Sequence, residues 1–262
     1  MRLILILAAS VGLAATTGVD PEQQWRSRYE ASLRAPDGWL SVAGLTWLKE
    51  GANTVDLPAD ASQKSVGLQL NHSKVTWQGR HLKTDAADNP DVLRFGPVTA
   101  TIIERGGRFG IRLRDPNAET RRDFTGCKWF PADPGWAIHA RWVAYPKPKQ
   151  IAITNILGMT DREPSPGYAE FTLQGKTVRL EPVLEDSELF FIFKDATSAS
   201  TTYGAGRFLY AALPKGNTVE LNFNRAHNPP CAFTAYATCP LPPRQNILTA
   251  AIEAGEKRYG GH

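Results

Sequence analysis

A chain of 262 residues, 42% apolar and 21% charged, has the make-up of a globular protein, with room for one large domain or two small ones. Its formal charge of +4 is spread along the chain rather than gathered in a basic block. That distribution argues against a nucleic-acid surface, and the composition argues against disorder.

Met1-Arg2 forms a short positive start, and Leu3 to Ala15 is an unbroken run of apolar or small residues before Thr16-Thr17-Gly18. This is the layout of a secretory signal peptide over residues 1–18, and the run is too short to span a bilayer comfortably. The chain is therefore expected in the periplasm or outside the cell, with no membrane span once the signal is cleaved. An oxidising compartment changes how the three cysteines read. Cys231 and Cys239, with seven residues between them, are the natural disulfide, and Cys127 is left over. The rival is a metal site of His227, Cys231 and Cys239, but the spacing lacks the close cysteine pairs of structural zinc. Disulfide is the expectation, and no metal or cofactor is implied.

From Asp20 to Ala35 the chain has helix character: Asp20 can cap, Pro21 suits the first turn, and Trp25, Tyr29 and Leu33 form one stripe. Pro36-Asp37-Gly38 ends it. The period then changes to short strand-like runs at Ser65–Leu70, Lys74–Gln78 and Val98–Glu104. Arg105-Gly106-Gly107-Arg108 reads as a hairpin turn, because two glycines supply the positive φ a tight turn needs. In the next strand Phe109, Ile111 and Leu113 face one side, while Arg108, Arg112 and Arg114 face the other. Pro146-Lys147-Pro148 reads as a loop between strands Ile138–Tyr145 and Gln150–Leu157. Further strands follow at Tyr168–Leu173, Thr177–Leu184, Glu188–Lys194, Arg207–Leu213 and Asn217–Asn224. Leu189 to Phe193 is apolar on both faces and is expected to be central. Ile247 to Tyr259 reads as a closing helix. About a dozen short strands at such spacing predict a mainly β protein, a sandwich or barrel of short antiparallel strands with N- and C-terminal helices. No internal repeat or convincing linker divides residues 19–262, which read as one β-rich domain.

The chain lacks a phosphate-binding Gly-x-x-x-x-Gly-Lys loop, a His-Glu-x-x-His zinc motif and a Gly-x-Ser-x-Gly elbow. Two polar clusters remain. Arg112, Arg114 and Asp115, followed by Arg121 and Arg122, can present guanidinium forks to a carboxylate or phosphate. The plainer account is a solvated face with local Arg–Asp pairs. The second cluster gathers Asp195, Tyr203, Arg207, Asn224, Arg225 and Asn228 near two strand ends. It suits a polar pocket or, more simply, an irregular loop satisfying its own backbone.

The most particular run is Asn224-Arg225-Ala226-His227-Asn228-Pro229-Pro230-Cys231-Ala232-Phe233-Thr234, continuing through Ala237-Thr238-Cys239-Pro240-Leu241-Pro242-Pro243 to Asn246. With Gly38-Trp39-Leu40, Arg112-Leu113-Arg114-Asp115-Pro116, Trp129-Phe130-Pro131 and Thr202 to Leu209, it resembles an uncharacterised bacterial domain-of-unknown-function family, exported or intracellular. His227 stands where that family's motif usually has tyrosine, which argues against a role needing an imidazole there. The resemblance implies no activity or cofactor.

The expectation is an exported β-rich protein binding a small polar or anionic ligand between the arginine cluster and the Tyr203–Asn228 cluster. The alternatives are a periplasmic hydrolase using Asp195, Tyr203 and Arg207 with Asn224 and Arg225, and an interaction protein of the cell envelope. On the first reading, Arg207→Ala weakens binding more than it lowers the melting temperature.

Overall fold

The computed structural model describes residues 20–260. The expected signal peptide lies outside the described residues. Helix α1 (Pro21–Arg34) starts where the sequence places it: Asp20 accepts the Glu22 N–H at 3.1 Å, and Pro21 occupies the first turn. Its aromatic stripe faces the protein, with Trp25 stacked on Tyr29 at 5.5 Å and Leu33 buried.

Eight strands follow: β1 (Val42–Trp47), β2 (Gly51–Asp56), β3 (Ser65–Asn71), β4 (Lys74–Trp77), β5 (Arg80–His81), β6 (Val92–Phe95), β7 (Val98–Arg105) and β8 (Arg108–Arg114). They form two antiparallel sheets, ordered β1-β8-β7-β6 and β2-β3-β4-β5. Val55, Val66, Leu68 and Leu70 from one sheet and Ala100, Ile102, Phe109, Ile111 and Leu113 from the other share one core. The β7–β8 turn has Gly106 at φ 54° and Gly107 at φ 72°, the pair of positive angles that a two-residue hairpin turn demands. Because Phe109, Ile111 and Leu113 are committed to that core, Arg112 and Arg114 stand on the opposite face.

A short helix α2 (Glu119–Arg122) leads to the second set of strands: β9 (Ala137–Thr154), β10 (Thr160–Leu173), β11 (Lys176–Leu180), β12 (Val183–Glu185), β13 (Glu188–Phe193), β14 (Arg207–Ala211) and β15 (Thr218–Asn222). These make sheets β11-β10-β9-β15 and β12-β13-β14. Strand β13 is central in its sheet and buried on both faces. Leu189, Phe191 and Phe193 join one core with Phe171, Leu209 and Phe223, and Phe190 and Ile192 join another with Ile151, Ile153 and Phe208. The architecture is mainly β, with several antiparallel sheets and an N-terminal helix.

Two expectations are corrected. Pro146-Lys147-Pro148 is not a loop but part of β9, paired with β10 to its tip. The register shift opposite it, at Ser165/Gly167, absorbs the two prolines, which remove ladder donors only locally. Residues 247–259 form no helix. They run irregularly against the strands, with Leu248 N–H donating to the Lys194 carbonyl at 2.7 Å and Ile252 and Ala254 fully buried. The apolar spacing there serves β-sheet packing instead of a helix face, and Gly255, at φ 78°, marks the break. Among the described residues, no helix is long and apolar enough to cross a membrane.

Candidate functional site

A cavity of about 460 Å³ opens between the two sets of strands. Helix α1 supplies Tyr29 and Leu33 to its wall, the segment after it supplies Trp39, and the end of β7 supplies Arg105. The outward face of the β12-β13-β14 sheet contributes Glu185, Phe190, Phe208 and Tyr210, and the following chain adds His227, Asn228, Thr238 and Cys239. A second cavity, of about 270 Å³, shares Arg105, Glu185, Phe190, Thr238 and Pro240 with the first, so the two are lobes of one cleft. The second lobe adds Asp161 and Glu163 from β10.

The floor is aromatic. Phe190 meets Phe208 edge-on at 4.8 Å and stacks on Tyr210 at 4.6 Å. The His227 ring lies 4.9 Å from Tyr29 and nearly parallel to Tyr210 at 6.0 Å. Its Nδ1 sits 3.0 Å from the Arg225 carbonyl, so Nδ1 donates and Nε2 is left as an acceptor. Burial drops the His227 pKa to about 4, and the ring is neutral at ordinary pH. It acts as an aromatic wall, in keeping with the tyrosine usual at this place in the motif.

Behind the Trp39 wall the chemistry is cationic. The guanidinium carbons of Arg112 and Arg114 sit 5.1 and 5.9 Å from the centroid of Trp39. Arg105 is already neutralised, donating from both terminal nitrogens to Asp85 at 3.0 and 2.7 Å. Arg112 is not. It is only 4% exposed, makes no hydrogen bond or ion pair among the described residues, and leaves Nε and Nη2 buried without an acceptor. Burial, with Arg105 and Arg114 nearby, lowers its pKa to about 10. Arg114 leaves Nε in the same condition.

The lining itself also carries acidic groups. Tyr210 donates to Glu185 at 3.0 Å, and burial together with that carboxylate pushes the phenol pKa up. Burial also raises Glu163 and Glu185, and for Glu163 the neighbouring Asp161 and Glu185 add to the rise.

The structure scatters most of the sequence-derived cluster. Asp195 and Arg207 meet at 2.8 Å as a closed, fully buried ion pair. Arg207 also donates to the carbonyls of Ile252 and Ala254, and Asp195 accepts from Thr197 and from the Ile252 N–H. The pair pins residues 250–254 to the sheets and lines neither lobe of the cleft. Asn224 bridges to the Asp133 backbone at 3.0 and 2.9 Å, and Arg225 grips Glu22 of α1 with two bonds of 3.0 and 2.9 Å. Tyr203 donates to the Cys231 carbonyl at 3.2 Å. Asp115 accepts the Asn117 N–H at 2.8 Å and shapes the turn after β8. A pocket of Asp195, Tyr203, Arg207 and Asn224 is therefore not what this chain builds, and an Arg207 with no route to the cleft is a structural residue. Of the second cluster only Asn228 reaches the cleft; of the first, Arg112 and Arg114 stand behind its Trp39 wall.

Cys231 and Cys239 are neighbours, with the Cys231 N–H donating to Cys239 Sγ at 3.0 Å, but they are free thiols and the expected bridge is not formed here. Among the described residues no group of three His, Cys, Asp or Glu side chains is placed to hold a metal ion.

The sequence reading missed the aromatic floor and one buried acid. Phe208 and Tyr210 alternate with Leu209 along β14, and that period was the available signal for a second aromatic face. Glu256 had none. It is fully buried, its Oε2 accepts the Asn228 N–H at 2.8 Å and the Tyr29 hydroxyl at 3.3 Å, and its Oε1 has no partner. Burial raises its pKa to about 7.

A family model described as "Protein of unknown function (DUF1684)" matches residues 122–257. Among solved structures, the chain is similar to the uncharacterized protein from gene locus rrnAC0354 of Haloarcula marismortui, known from a solution NMR structure. The two are 30% identical, with 52% of this chain and 78% of that one covered and a TM-score of 0.44. No curated protein matches the chain.

Proposed function

The chain belongs to the DUF1684 family, whose function is unknown, so membership brings no activity with it, and we propose from the site itself that the protein binds a small anionic ligand in the cleft. The carboxylate or phosphate of the ligand sits toward Arg112 and Arg114, and its flat apolar body lies on Phe190, Phe208 and Tyr210. One observation carries this reading: Arg112 is a buried guanidinium with no acceptor, stacked on the cleft residue Trp39. A buried charge without a partner is strongly unfavourable, and a fold that keeps one is accounted for by an anion that arrives later. Guanidinium is also the side chain whose planar fork best matches a carboxylate or phosphate. The aromatic floor supports the same reading, since ligand sites are mostly apolar with a few fixed polar groups.

The test is calorimetric titration of the purified protein with matched pairs of aromatic carboxylates or phosphate esters and their neutral amides or alcohols. The anionic member binds at least tenfold more tightly, and Arg112→Met removes that difference. Equal affinity for charged and neutral partners, or a preference untouched by the substitution, overturns the proposal. Export belongs to the same reading, resting on the positive start and apolar run of residues 1–18. Fractionation of the native cell with N-terminal sequencing checks it, and an intact Met1 on a cytoplasmic protein refutes it.

A further inference from the structure

Cys239, which lines the cleft, and its neighbour Cys231 have a chemistry that ligand binding does not use. Cys239 is buried and lines the cleft, while Cys231 is half-buried and the more accessible of the two. The Cys231 N–H donates to Cys239 Sγ at 3.0 Å, which sets the Cys239 sulfur against the Cys231 backbone. The segment carrying them is fixed rather than floppy. Ala232 and Phe233 donate to the Pro229 and Pro230 carbonyls at 2.9 Å each, and Ile156 donates to the Cys239 carbonyl at 3.0 Å. The backbone thus holds the two cysteines side by side.

We propose that Cys231 and Cys239 form an exchange-active dithiol beside the cleft, oxidised to a disulfide by small-molecule disulfides that reach the half-buried Cys231. Cys231 is the attacking sulfur. Interaction with Cys239 holds its pKa below the ordinary thiol value despite burial, whereas burial pushes Cys239 far up. Having released its proton, Cys231 attacks one sulfur of the incoming disulfide, and the first thiolate leaves and is protonated. Cys239 then gives up its proton and attacks Cys231 Sγ, which expels the second thiolate. The protein loses two electrons and two protons, and the small disulfide gains both. The geometry also sets Cys127 apart. Burial raises the pKa of its thiol steeply, and the thiol is free. The proposal stands on the thiol pair and does not depend on the identity of the anionic ligand.

The reduced full-length protein is incubated with oxidised glutathione, then alkylated and weighed. The wild type becomes two hydrogens lighter and keeps one alkylatable thiol, which peptide mapping places at Cys127. Cys239→Ser stops halfway, with one glutathione on Cys231, and Cys231→Ser takes up none at position 239. Three alkylatable thiols after incubation, or glutathione lodged on Cys127 with the pair untouched, overturns the proposal. The wild-type result alone decides the matter should either serine variant fail to fold, because the linkage is read directly from the mapped peptides.

Discussion

Replacing Arg112 by methionine separates a binding residue from a structural one more cleanly than any other change in this protein. Burial and two neighbouring arginines hold the guanidinium pKa at about 10, against an ordinary value near 12.5. That fall corresponds to roughly 3 kcal/mol of disfavoured charge in the folded state. Arginine is a base with a depressed folded pKa, so at pH 7, below both values, the whole penalty is present. It is relieved only as pH rises from about 10 toward 12.5. Methionine keeps much of the apolar stem and removes the charge. Against the gain stands the lost stacking of the cation on Trp39, worth about 0.5–2 kcal/mol. The variant is therefore about 1–2.5 kcal/mol more stable than the wild type without ligand, a rise of a few degrees in melting temperature for a protein of this size. Calorimetric melting in a non-coordinating buffer at pH 7 measures it, and titration with an anionic ligand of the wild type shows the binding lost. A melting temperature several degrees lower would refute the reasoning, since it would mean that Arg112 already holds a favourable partner within the fold.

The Asp195–Arg207 pair predicts the opposite. Arg207→Ala strands a buried carboxylate and unpins residues 250–254, and costs about 3–5 kcal/mol in urea unfolding, while ligand affinity of the surviving folded fraction is unchanged. Stability should also respond to pH in a defined way. Glu256 keeps its proton to about pH 7 in the fold, against an ordinary value near 4.5, so its contribution is full below pH 4.5 and is lost as pH rises to 7. His227 resists protonation to about pH 4, against 6.5, so its contribution is full above pH 6.5 and is lost as pH falls to 4. Between pH 4.5 and 6.5 the two slopes offset each other, and each shift is worth roughly 3 kcal/mol over its range. Glu256→Gln removes the alkaline decline, so the difference in unfolding free energy from the wild type grows between pH 4.5 and 7 and is flat above. A difference that is constant with pH would contradict the assignment. Gly107→Ala costs about 1–2 kcal/mol through φ alone, because its Cβ would meet no atom within 4 Å, and chemical denaturation of that variant checks the turn.

Local rules carried the sequence reading as far as they operate. The Asp20-Pro21 start, the Gly106-Gly107 turn, the alternation that puts Arg112 and Arg114 on one face of β8, and the two-sided burial of β13 are all matters of neighbouring residues and strand period. They also suffice for a mainly β protein with a helix before it. The same rules failed at residues 247–259, where apolar spacing that fits a helix is used to pack an irregular segment on strands, and at Pro146 and Pro148, which a long paired hairpin tolerates.

The site divides in the same way. The sequence by itself determined that this chain carries clustered arginines and a run of polar residues around Asn228, because those are properties of adjacent positions. Only the tertiary structure decided which of them meet. Asp195 and Arg207 are 12 positions apart and close on each other, which removes both from the cleft. Trp39, Phe190, Tyr210 and Cys239 come from separate parts of the chain, and folding brings them to one cavity, with Arg112 stacked on Trp39. Whether a guanidinium finds an acceptor depends on every chain segment that surrounds it after folding. No pattern of spacing along the chain encodes that, so the unpaired state of Arg112 and the buried carboxyl of Glu256 belong to the fold alone.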